Sequence, residues 1–390
     1  MKKNLILSAN AVVRRGGQGL NLHHMIQCLR EMFQVSVFCQ GGETGLPTQY
    51  VPESAWSTRL QRIPIVRRRR DWFTLIAETN FDRQVSRQLT SADVFQGATG
   101  QCLESLQVAR KKGSLTILDV FTLHNERFHA ETVRECALFG IRPFQHPVLY
   151  KRILEEYQSA DLIRVSSEAA RQTFLERGFA PEKLFIAPPP FDVAQFPQAH
   201  FDGSRFTVSF VGLLEPAKGF HYLIDAFRSL NRPDSELLLW GNTGARRLAR
   251  YVREQMTACP AIQLRPVSVS EIGYENVYGI SSVLVHPSLA DGFGYVVGEA
   301  MASGIPVITT TATGASQWIV DGVNGYVVPP RDPDAIRDRL EYLMDHPSQL
   351  REMGRAARAT MAKLTLGHFR QSYIDALSWR RSPACEGLFQ

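Results

Sequence analysis

Short apolar runs alternate with longer amphipathic segments along most of this chain. Runs rich in Val, Ile, Leu and Phe are typical of strands buried on both faces, and the segments between them have helical periodicity. In the first half, the pattern predicts strands at 4–9, 35–39, 94–96, 115–120, 162–165 and 184–187 and helices at 20–32, 73–89, 101–112 and 167–177. This alternation favours a parallel sheet with helices on both faces.

The pattern stops at three consecutive prolines, 188–190, and restarts near residue 206. Consecutive prolines cannot join a helix or a central strand, so the segment from Pro188 to Ser204 is predicted to be a linker. The second half then has predicted strands at 206–211, 236–240, 283–285 and 307–308 and helices at 219–230, 244–257, 333–345, 348–363 and 367–379. A chain of 390 residues is long for one domain. We therefore predict an α/β protein with two doubly wound domains, 1–190 and 205–365, and a final segment, 366–390.

The composition is that of a globular protein, with 44% apolar and 21% charged residues. No stretch approaches the ~20 apolar residues of a membrane span, and the first residues lack the apolar segment of a signal peptide. The six cysteines are scattered without metal-binding spacing. Reduced thiols in a cytoplasmic protein are the expectation from this pattern.

All of the net charge of +6 comes from residues 1–200, and its densest part is the run Arg67–Arg70, followed by Asp71, Trp72 and Phe73. Two interpretations stay open for the segment Arg67–Phe73. Basic side chains beside aromatic rings can dock on anionic lipid head groups, as in a peripheral protein on the inner face of the membrane. The alternative is a solvated loop and helix start. No nucleic-acid recognition motif accompanies the charge, so nucleic acid is not a predicted partner.

Two carboxylates, Asp291 and Glu299, bracket a Gly-Phe-Gly turn at 292–294 that leads into a short predicted helix. Gly304 suits the left-handed residue after the helix, and Pro306 prevents its continuation. A glycine turn that opens a helix presents free N–H groups at the positive end of the helix dipole, where phosphate binds well. The carboxylates add acceptors for the vicinal hydroxyls of a ribose or a hexose. Nucleotide sugars contain both kinds of group.

This motif resembles the donor site of the family-4 retaining glycosyltransferases, which has two glutamates separated by seven residues around Gly-Phe-Gly, then a small-residue helix and Gly-x-Pro-Val. Here Glu299 matches the second glutamate, and Asp291 replaces the first. The resemblance implies the GT-B fold, in which two Rossmann-like domains face each other across a cleft. It also implies that the first domain binds the acceptor, the second binds the nucleotide sugar, and the final helix returns to the first domain.

The segment Gly212–Gly219 resembles the first turn of the nucleotide-binding domain in this family. An arginine directly after the first glycine and a lysine before the second commonly bind the donor diphosphate there. Lys218 is present, but Leu213 holds the arginine position. A lysine at a helix start can neutralise the charge that develops on a departing phosphate. The sequence does not identify a cation that replaces the arginine.

Gly16-Gly17-Gln18-Gly19 follows the first strand and precedes a helix, so its backbone could closely approach a ligand. It is only a partial dinucleotide fingerprint, and the second strand is followed by no convincing acidic ribose partner. In the resembling family this loop lines the cleft, which gives Gly17 a donor-binding role. The alternative is a tight turn without a ligand.

Asp119 ends a predicted strand, and His124 follows in the next loop, at the edge of the sheet where α/β proteins bind ligands. Many family-4 enzymes have a histidine in this loop near the reacting sugar, and His124 matches that position. His129 is a competitor for the same role, and a structural role for either histidine remains open.

The resemblance thus implies an enzyme that moves a sugar, with retention of configuration, from a nucleotide diphosphate sugar to an acceptor hydroxyl. The expected acceptor is a growing polysaccharide, a lipid-linked saccharide or a glycolipid. The expected catalytic residues are His124, Lys218 and Asp291. The expected donor-binding residues are Gly17, Gly212, Lys218, Asp291, Gly292, Phe293, Gly294 and Glu299. No metal-binding aspartate cluster is evident, and no metal or other cofactor is expected.

Two alternatives stay open at the level of sequence. Nucleotide-sugar epimerases share the two-domain scaffold but convert the sugar nucleotide without an acceptor. A non-catalytic sugar-nucleotide-binding protein would bind the donor without turnover, and the fold alone does not exclude it.

Overall fold

The computed structural model describes residues 2–52, 70–199, 205–266 and 272–378, which form two domains on separate sheets. The strands of the first are β1 (Asn4–Ser8), β2 (Gln34–Cys39), β3 (Thr48–Tyr50), β4 (Val94–Ala98), β5 (Leu115–Asp119), β6 (Leu162–Val165) and β7 (Leu184–Ile186). Those of the second are β8 (Phe206–Val211), β9 (Ser235–Trp240), β10 (Ile262–Arg265), β11 (Val283–His286), β12 (Val307–Thr310) and β13 (Tyr326–Val328).

The strand orders are β3-β2-β1-β4-β5-β6-β7 and β10-β9-β8-β11-β12-β13, and the pairings between these strands are parallel. The order reverses between β1 and β4 in the first sheet and between β8 and β11 in the second. Loops that leave such switch points at the carboxyl ends of the strands form the usual binding crevice. The prediction of two doubly wound α/β domains is confirmed.

Helices cover both faces of each sheet. In the first domain they are α1 (Gly16–Leu29), α2 (Arg70–Gln88), α3 (Leu103–Lys111), α4 (Asn125–Leu138), α5 (Pro147–Ser159) and α6 (Glu168–Leu175). In the second they are α7 (Phe220–Leu230), α8 (Arg246–Ala258), α9 (Tyr274–Tyr278), α10 (Tyr295–Ala302), α11 (Pro333–Asp345) and α12 (Pro347–Met361), and α13 (Leu366–Ser378) follows. Within the described ranges, the helices are too short or too polar to span a bilayer.

The structure has elements that the apolar pattern did not predict. The edge strand β3 has no buried residue, so it lacks the apolar run that indicates a strand. The apolar pattern also did not predict the helices α4 and α5. For α5, a usual start signal is present, because His146 caps the helix and Pro147 occupies its first turn. Helix α1 begins at Gly16, four residues before the predicted start, because glycines in its first turn hide the helical pattern. A Cβ at Gly19 would lie 2.0 Å from the Val12 carbonyl oxygen, so this turn requires glycine.

The last helix packs on the first domain. Phe369, Tyr373 and Leu377 of α13 are almost completely buried in the same core cluster as the side chains of β1 and α1. The Gln96 amide donates to the Tyr373 hydroxyl at 2.9 Å, and Arg370 pairs with Glu31 at 2.5 Å. The expected return of the final helix to the first domain is confirmed.

A polar cluster joins the two domains beside α4. Arg331, which has a left-handed backbone at φ 65°, donates to Glu131 and, at 2.8 Å, to Glu135. His221 and Tyr222 of α7 also contact the Glu135 carboxylate, each at 3.1 Å. Burial raises the pKa of Glu135, and the hydrogen bonds from His221 and Arg331 more than reverse this, so the net shift is downward. The carboxylate stays ionised and holds groups of both domains together.

The basic segment is only partly covered by the structure. Arg67–Arg69 lie outside the described residues, and α2 begins at Arg70. Trp72 on its first turn is 44% exposed and contacts the edge of the His146 ring, with 4.5 Å between ring centroids. Membrane contact through this segment stays a prediction.

A buried ion pair lies where α1, β5 and β6 meet. The Arg164 guanidinium, 1% exposed, pairs with Asp119 at 2.7 Å and donates to the Ala187 carbonyl. Asn21 donates to Asp119 at 2.7 Å and accepts from Arg164 at 2.8 Å. The Tyr295 hydroxyl, on α10 of the second domain, reaches the same Asn21 oxygen at 3.2 Å. The charge of each ion is thus matched by partners from several elements.

Replacing Arg164 by Met should lower the free energy of unfolding by roughly 3–5 kcal/mol, because the Asp119 carboxylate would stay buried without its cation. Urea unfolding followed by circular dichroism measures this change. The control is Arg171→Ala, which removes a surface pair with Glu168 and should change stability by about 0–1 kcal/mol. Equal effects of the two substitutions would contradict the importance of the buried pair.

Candidate functional site in the interdomain cleft

The two domains enclose a cavity of about 620 Å³ at the two switch points. In the first domain, its lining comes from the loop after β1, the start of α1, the loop after β5 and the end of β6. In the second domain, it comes from the loops after β8 and β11 and from α9 and α10. Seven of the predicted site residues line it: Gly17, Gly212, Lys218, Asp291, Phe293, Gly294 and Glu299.

Asp291 forms the centre of a polar cluster on the loop after β11. Its Oδ2 accepts from the Lys218 ammonium at 2.5 Å and lies 3.0 Å from His286 Nε2. Burial alone would raise the pKa of Asp291, but Lys218 and His286 reverse this and hold the pKa well below its ordinary value. Burial also lowers the pKa of His286, so this ring is neutral at pH 7 and Nε2–H donates to Asp291. Asp291 is therefore a fixed carboxylate beside a fixed cation.

The turn before α7 places Lys218. Residues Pro216–Lys218 form one turn of 3₁₀ helix, and Gly219 follows with φ 70°. A Cβ at Gly219 would lie 2.0 Å from the Pro287 carbonyl oxygen, so only glycine lets this turn approach the loop after β11. This close approach brings the Lys218 side chain, which is 30% exposed, to Asp291.

In the Gly-Phe-Gly turn, the first glycine packs against the first domain, and the other two residues line the cavity. Gly292 lies outside the cavity lining, where a Cβ would meet the Phe121 carbonyl oxygen at 2.2 Å, and its own oxygen accepts from Ser167 at 2.6 Å. It therefore seats the turn against the first domain. Phe293 is buried and stacks on Phe191, and it also contributes to the cavity lining. Gly294, with φ 84°, precedes α10 and lines the cavity as well.

Glu299 lies on α10 at the other end of the motif and is 7% exposed. The Tyr278 hydroxyl donates to its Oε2 at 2.6 Å, and Tyr274 forms a further hydrogen bond with the carboxyl group. Burial raises the pKa of Glu299 to about 6 against these two hydrogen bonds. The carboxyl group is thus ionised at neutral pH and titrates just below it.

The position after Gly212 lacks a cation, as the sequence indicates. Gly212 has φ 136°, and Leu213 lines the cavity with 48% of its surface exposed. The loop after β1 brings Gly17 into the lining together with Gln18 and, unexpectedly, Arg14. No local signal in the sequence indicates a role for Arg14, because this loop lacks a complete fingerprint motif.

His124 is absent from the cavity lining, so the structure does not bring it to Lys218 and Asp291. It is the residue before α4, and its Nδ1 accepts from the Glu126 amide at 3.3 Å, as in an N-cap. The ring, 3% exposed, packs against Tyr157 and Phe174, and its burial lowers its pKa to about 4. This placement is structural, and the catalytic role expected for His124 has no geometric support.

Other lining residues had no predicted role. His286 orients Asp291, Tyr274 contacts Glu299, and the buried Arg164 borders the cavity. Tyr278, which also contacts Glu299, lies outside the lining. Only His286 had a local signal, since it ends the strand before the motif. The remaining contacts join distant parts of the chain. Among the residues that the structure describes, no group of three or more His, Cys, Asp or Glu side chains could hold a metal ion.

Two family models together account for most of the chain. The glycosyl transferase 4-like domain matches residues 16–190, and the glycosyl transferases group 1 model matches residues 193–360. Each half of the chain thus matches a glycosyltransferase family model. The matches meet at the proline-rich segment between the two sheets, and the second contains Lys218, Asp291 and Glu299.

Curated glycosyltransferases are similar to this chain over part of their length. D-inositol 3-phosphate glycosyltransferase of Pseudarthrobacter chlorophenolicus is 31% identical over 215 residues, 51% of this chain and 51% of that protein. The capsular polysaccharide biosynthesis glycosyltransferase CapM of Staphylococcus aureus is 26% identical over 248 residues, 58% of this chain and 63% of CapM. The chain thus matches about half to two thirds of the length of these relatives.

Solved structures of this group match the whole chain in fold. Anabaena Alr3699/HepE in complex with UDP and glucose superposes with a TM-score of 0.72 at 17% identity, over 97% of this chain and 100% of that chain. The lipopolysaccharide outer core galactosyltransferase WaaB gives a TM-score of 0.63 at 16% identity, over 96% and 99%. These similarities show the GT-B fold that the sequence predicted.

If Glu299 accepts hydrogen bonds from a ribose, nucleotide affinity should fall by about tenfold between pH 7.5 and pH 5. Its pKa lies near 6, above the ordinary 4.5, so acid in this range protonates the carboxylate and removes the charge-assisted bonds. Isothermal titration with UDP, GDP and ADP measures the affinity at both pH values.

Glu299→Gln is the matched control, because it keeps the size of the side chain and cannot titrate. The nucleotide phosphates titrate equally against both proteins, so only the difference between them reports Glu299. The same pH slope in wild type and Glu299→Gln would remove Glu299 from ribose binding.

Proposed function

We propose that this protein transfers a sugar from a nucleoside diphosphate sugar to an acceptor hydroxyl, with retention of the anomeric configuration. The observation that carries the proposal is the convergence of Lys218, Asp291 and Glu299 on one cavity at the two switch points. A cation for phosphate and two carboxylates for vicinal hydroxyls are the groups that a nucleotide sugar requires. The two glycosyltransferase family models that match the halves of the chain support the same reaction.

In the proposed reaction, the bond between the anomeric carbon and the β-phosphate oxygen breaks. The acceptor oxygen forms a new bond on the same face of the sugar, and the acceptor proton passes to the leaving phosphate oxygen. Lys218 stabilises the charge that grows on this phosphate, and the backbone N–H groups near Gly294 add to it. We base retention on the family resemblance.

The carboxylates then bind the hydroxyl groups at either end of the donor. Both described side-chain contacts of Asp291 are made by Oδ2, which leaves Oδ1 to accept from a sugar hydroxyl. Glu299 accepts from the Tyr278 hydroxyl on Oε2, and in this scheme its carboxylate also accepts from the ribose hydroxyls. Asp291 lies on the loop before α10 and Glu299 lies within α10, so the two carboxylates would serve different parts of one ligand.

The relatives indicate which bases, sugars and acceptors to test first. HepE was solved with UDP and glucose, and the named relatives concern an inositol phosphate and a capsular polysaccharide. We propose an acceptor in polysaccharide, lipopolysaccharide or glycolipid synthesis. Thermal-shift screening against UDP, GDP and ADP sugars identifies the donor, because a ligand of the folded state raises the melting temperature.

Product analysis then tests the reaction itself. The assay combines the sugar nucleotide that raises the melting temperature with a panel of saccharide and lipid-linked acceptors. We expect a glycosylated product whose anomeric configuration, measured by NMR, equals that of the donor. Conversion of the sugar nucleotide without acceptor would indicate an epimerase instead. Binding without any turnover would indicate a sensor, and inversion would overturn retention.

Lys218→Met should lower kcat by roughly 10²–10³, because the phosphate gains charge as the glycosidic bond breaks and the lost cation acts mainly in the transition state. Initial rates over a range of donor concentrations separate kcat from KM. The control, Lys363→Met, removes an exposed lysine at the end of α12 and should leave the rate unchanged. A Lys218→Met enzyme with normal kcat would contradict the assignment.

We also propose that the reaction needs no divalent metal, since protein cations neutralise the diphosphate in this scheme. Activity should therefore be unchanged, within twofold, after dialysis against EDTA. Loss of activity that Mg²⁺ or Mn²⁺ restores would show that a metal carries this charge.

A further inference from the structure

Of the three cations among the described residues that line the cavity, two are paired with carboxylates. Lys218 pairs with Asp291, and the buried Arg164 pairs with Asp119 just behind the lining. Arg14 also lines the cavity, but it forms no ion pair with any residue that the structure describes. Its only described side-chain hydrogen bond is a long one, 3.4 Å, from Nε to His23 Nδ1. The cavity thus has one exposed cation whose charge no described carboxylate balances.

The backbone around Arg14 holds it at this place. Arg14 has φ 68°, a left-handed conformation that residues other than glycine rarely adopt. Its amide donates to the Gly19 carbonyl at 2.9 Å, and the neighbouring Val13 amide donates to Gly41 at 2.9 Å. The loop is therefore fixed on both sides. A strained residue that a rigid loop directs to a cavity is typical of a functional position, where glycine would relieve the strain.

We propose that Arg14 binds the diphosphate of the nucleotide sugar and supplies the second cation that Leu213 does not. This inference rests on the proposed function. A nucleoside diphosphate leaving group carries at least two negative charges, whereas Lys218 already forms an ion pair with Asp291. Arg14 and Lys218 line the same cavity from opposite domains, so the diphosphate would connect the domains through one cation on each side. A guanidinium also provides paired N–H donors that match phosphate geometry.

The first test compares neighbouring arginines. Arg14→Ala should weaken the binding of UDP, GDP or ADP, whichever binds the wild type, by ten- to a hundredfold in isothermal titration. Arg15→Ala is the matched control, because Arg15 is an exposed arginine next in the chain that does not line the cavity. We expect less than a threefold change for it. An unchanged affinity in Arg14→Ala, or an equal loss in both variants, would overturn the inference.

A second variant separates binding from stability. Arg14→Gly keeps the left-handed backbone and removes its strain, so the melting temperature should stay equal or rise while diphosphate affinity falls as in Arg14→Ala. This variant also serves if Arg14→Ala folds poorly. A Gly variant that binds the diphosphate like the wild type would overturn the inference.

Transferring the cation across the cleft gives the sharpest test. In the Arg14→Ala background, Leu213→Arg places an arginine at the position the family commonly uses, and it should restore diphosphate affinity to within about threefold of wild type. Failure to restore it would overturn the claim that Arg14 takes the place of that arginine. If Arg14→Ala raised only the KM for the acceptor, Arg14 would belong to the acceptor site instead. A wild-type protein that binds none of the three diphosphates would contradict the proposed function itself.

Discussion

The buried pair between Arg164 and Asp119 is the interaction on which the cleft depends. It lies beneath the cavity, and Asn21 connects it to α1 while Tyr295 connects it to α10 of the other domain. The Phe369 ring of α13 faces the guanidinium, with 5.0 Å from its carbon to the ring centroid. A charge buried so deeply is tolerable only with complete pairing, so these elements have little freedom to move apart. The Arg164 guanidinium thus holds together the elements that form the base of the cavity.

A second polar cluster limits the cleft at its side. Arg331 and the residues His221 and Tyr222 meet the carboxylates of Glu131 and Glu135, so both domains contribute to each contact. The turn at Gly292, seated on the loop after β5, adds a direct backbone contact. The cavity therefore has its approximate width before any ligand enters, which reduces the ordering that binding would require.

Much of the fold follows from local patterns, and less of the site does. Apolar runs, prolines and glycine turns predict strands, linker and helix ends, because each depends on neighbours in the chain. Lys218, Asp291 and Glu299 stand in recognisable motifs, and the structure brings them to one cavity. By contrast, the contacts of Glu299 with Tyr278 and the placement of Arg14 depend on packing between distant segments. The catalytic role of His124 stays a prediction, since its loop position near a strand end does not determine the orientation of its ring, which lies outside the cavity lining.

The return of α13 to the first domain has a consequence for how the protein is made. Phe369, Tyr373 and Leu377 complete a core whose other members come almost entirely from the first 190 residues. A ribosome adds these three side chains only after the whole second domain, so the nascent first domain waits with part of its interior uncovered. Its last packing step can occur only after residue 377 has left the ribosome. The second domain is therefore synthesised while the core of the first domain is still incomplete. A chain truncated before residue 366 would leave the apolar groove that α13 covers exposed to water and prone to aggregation.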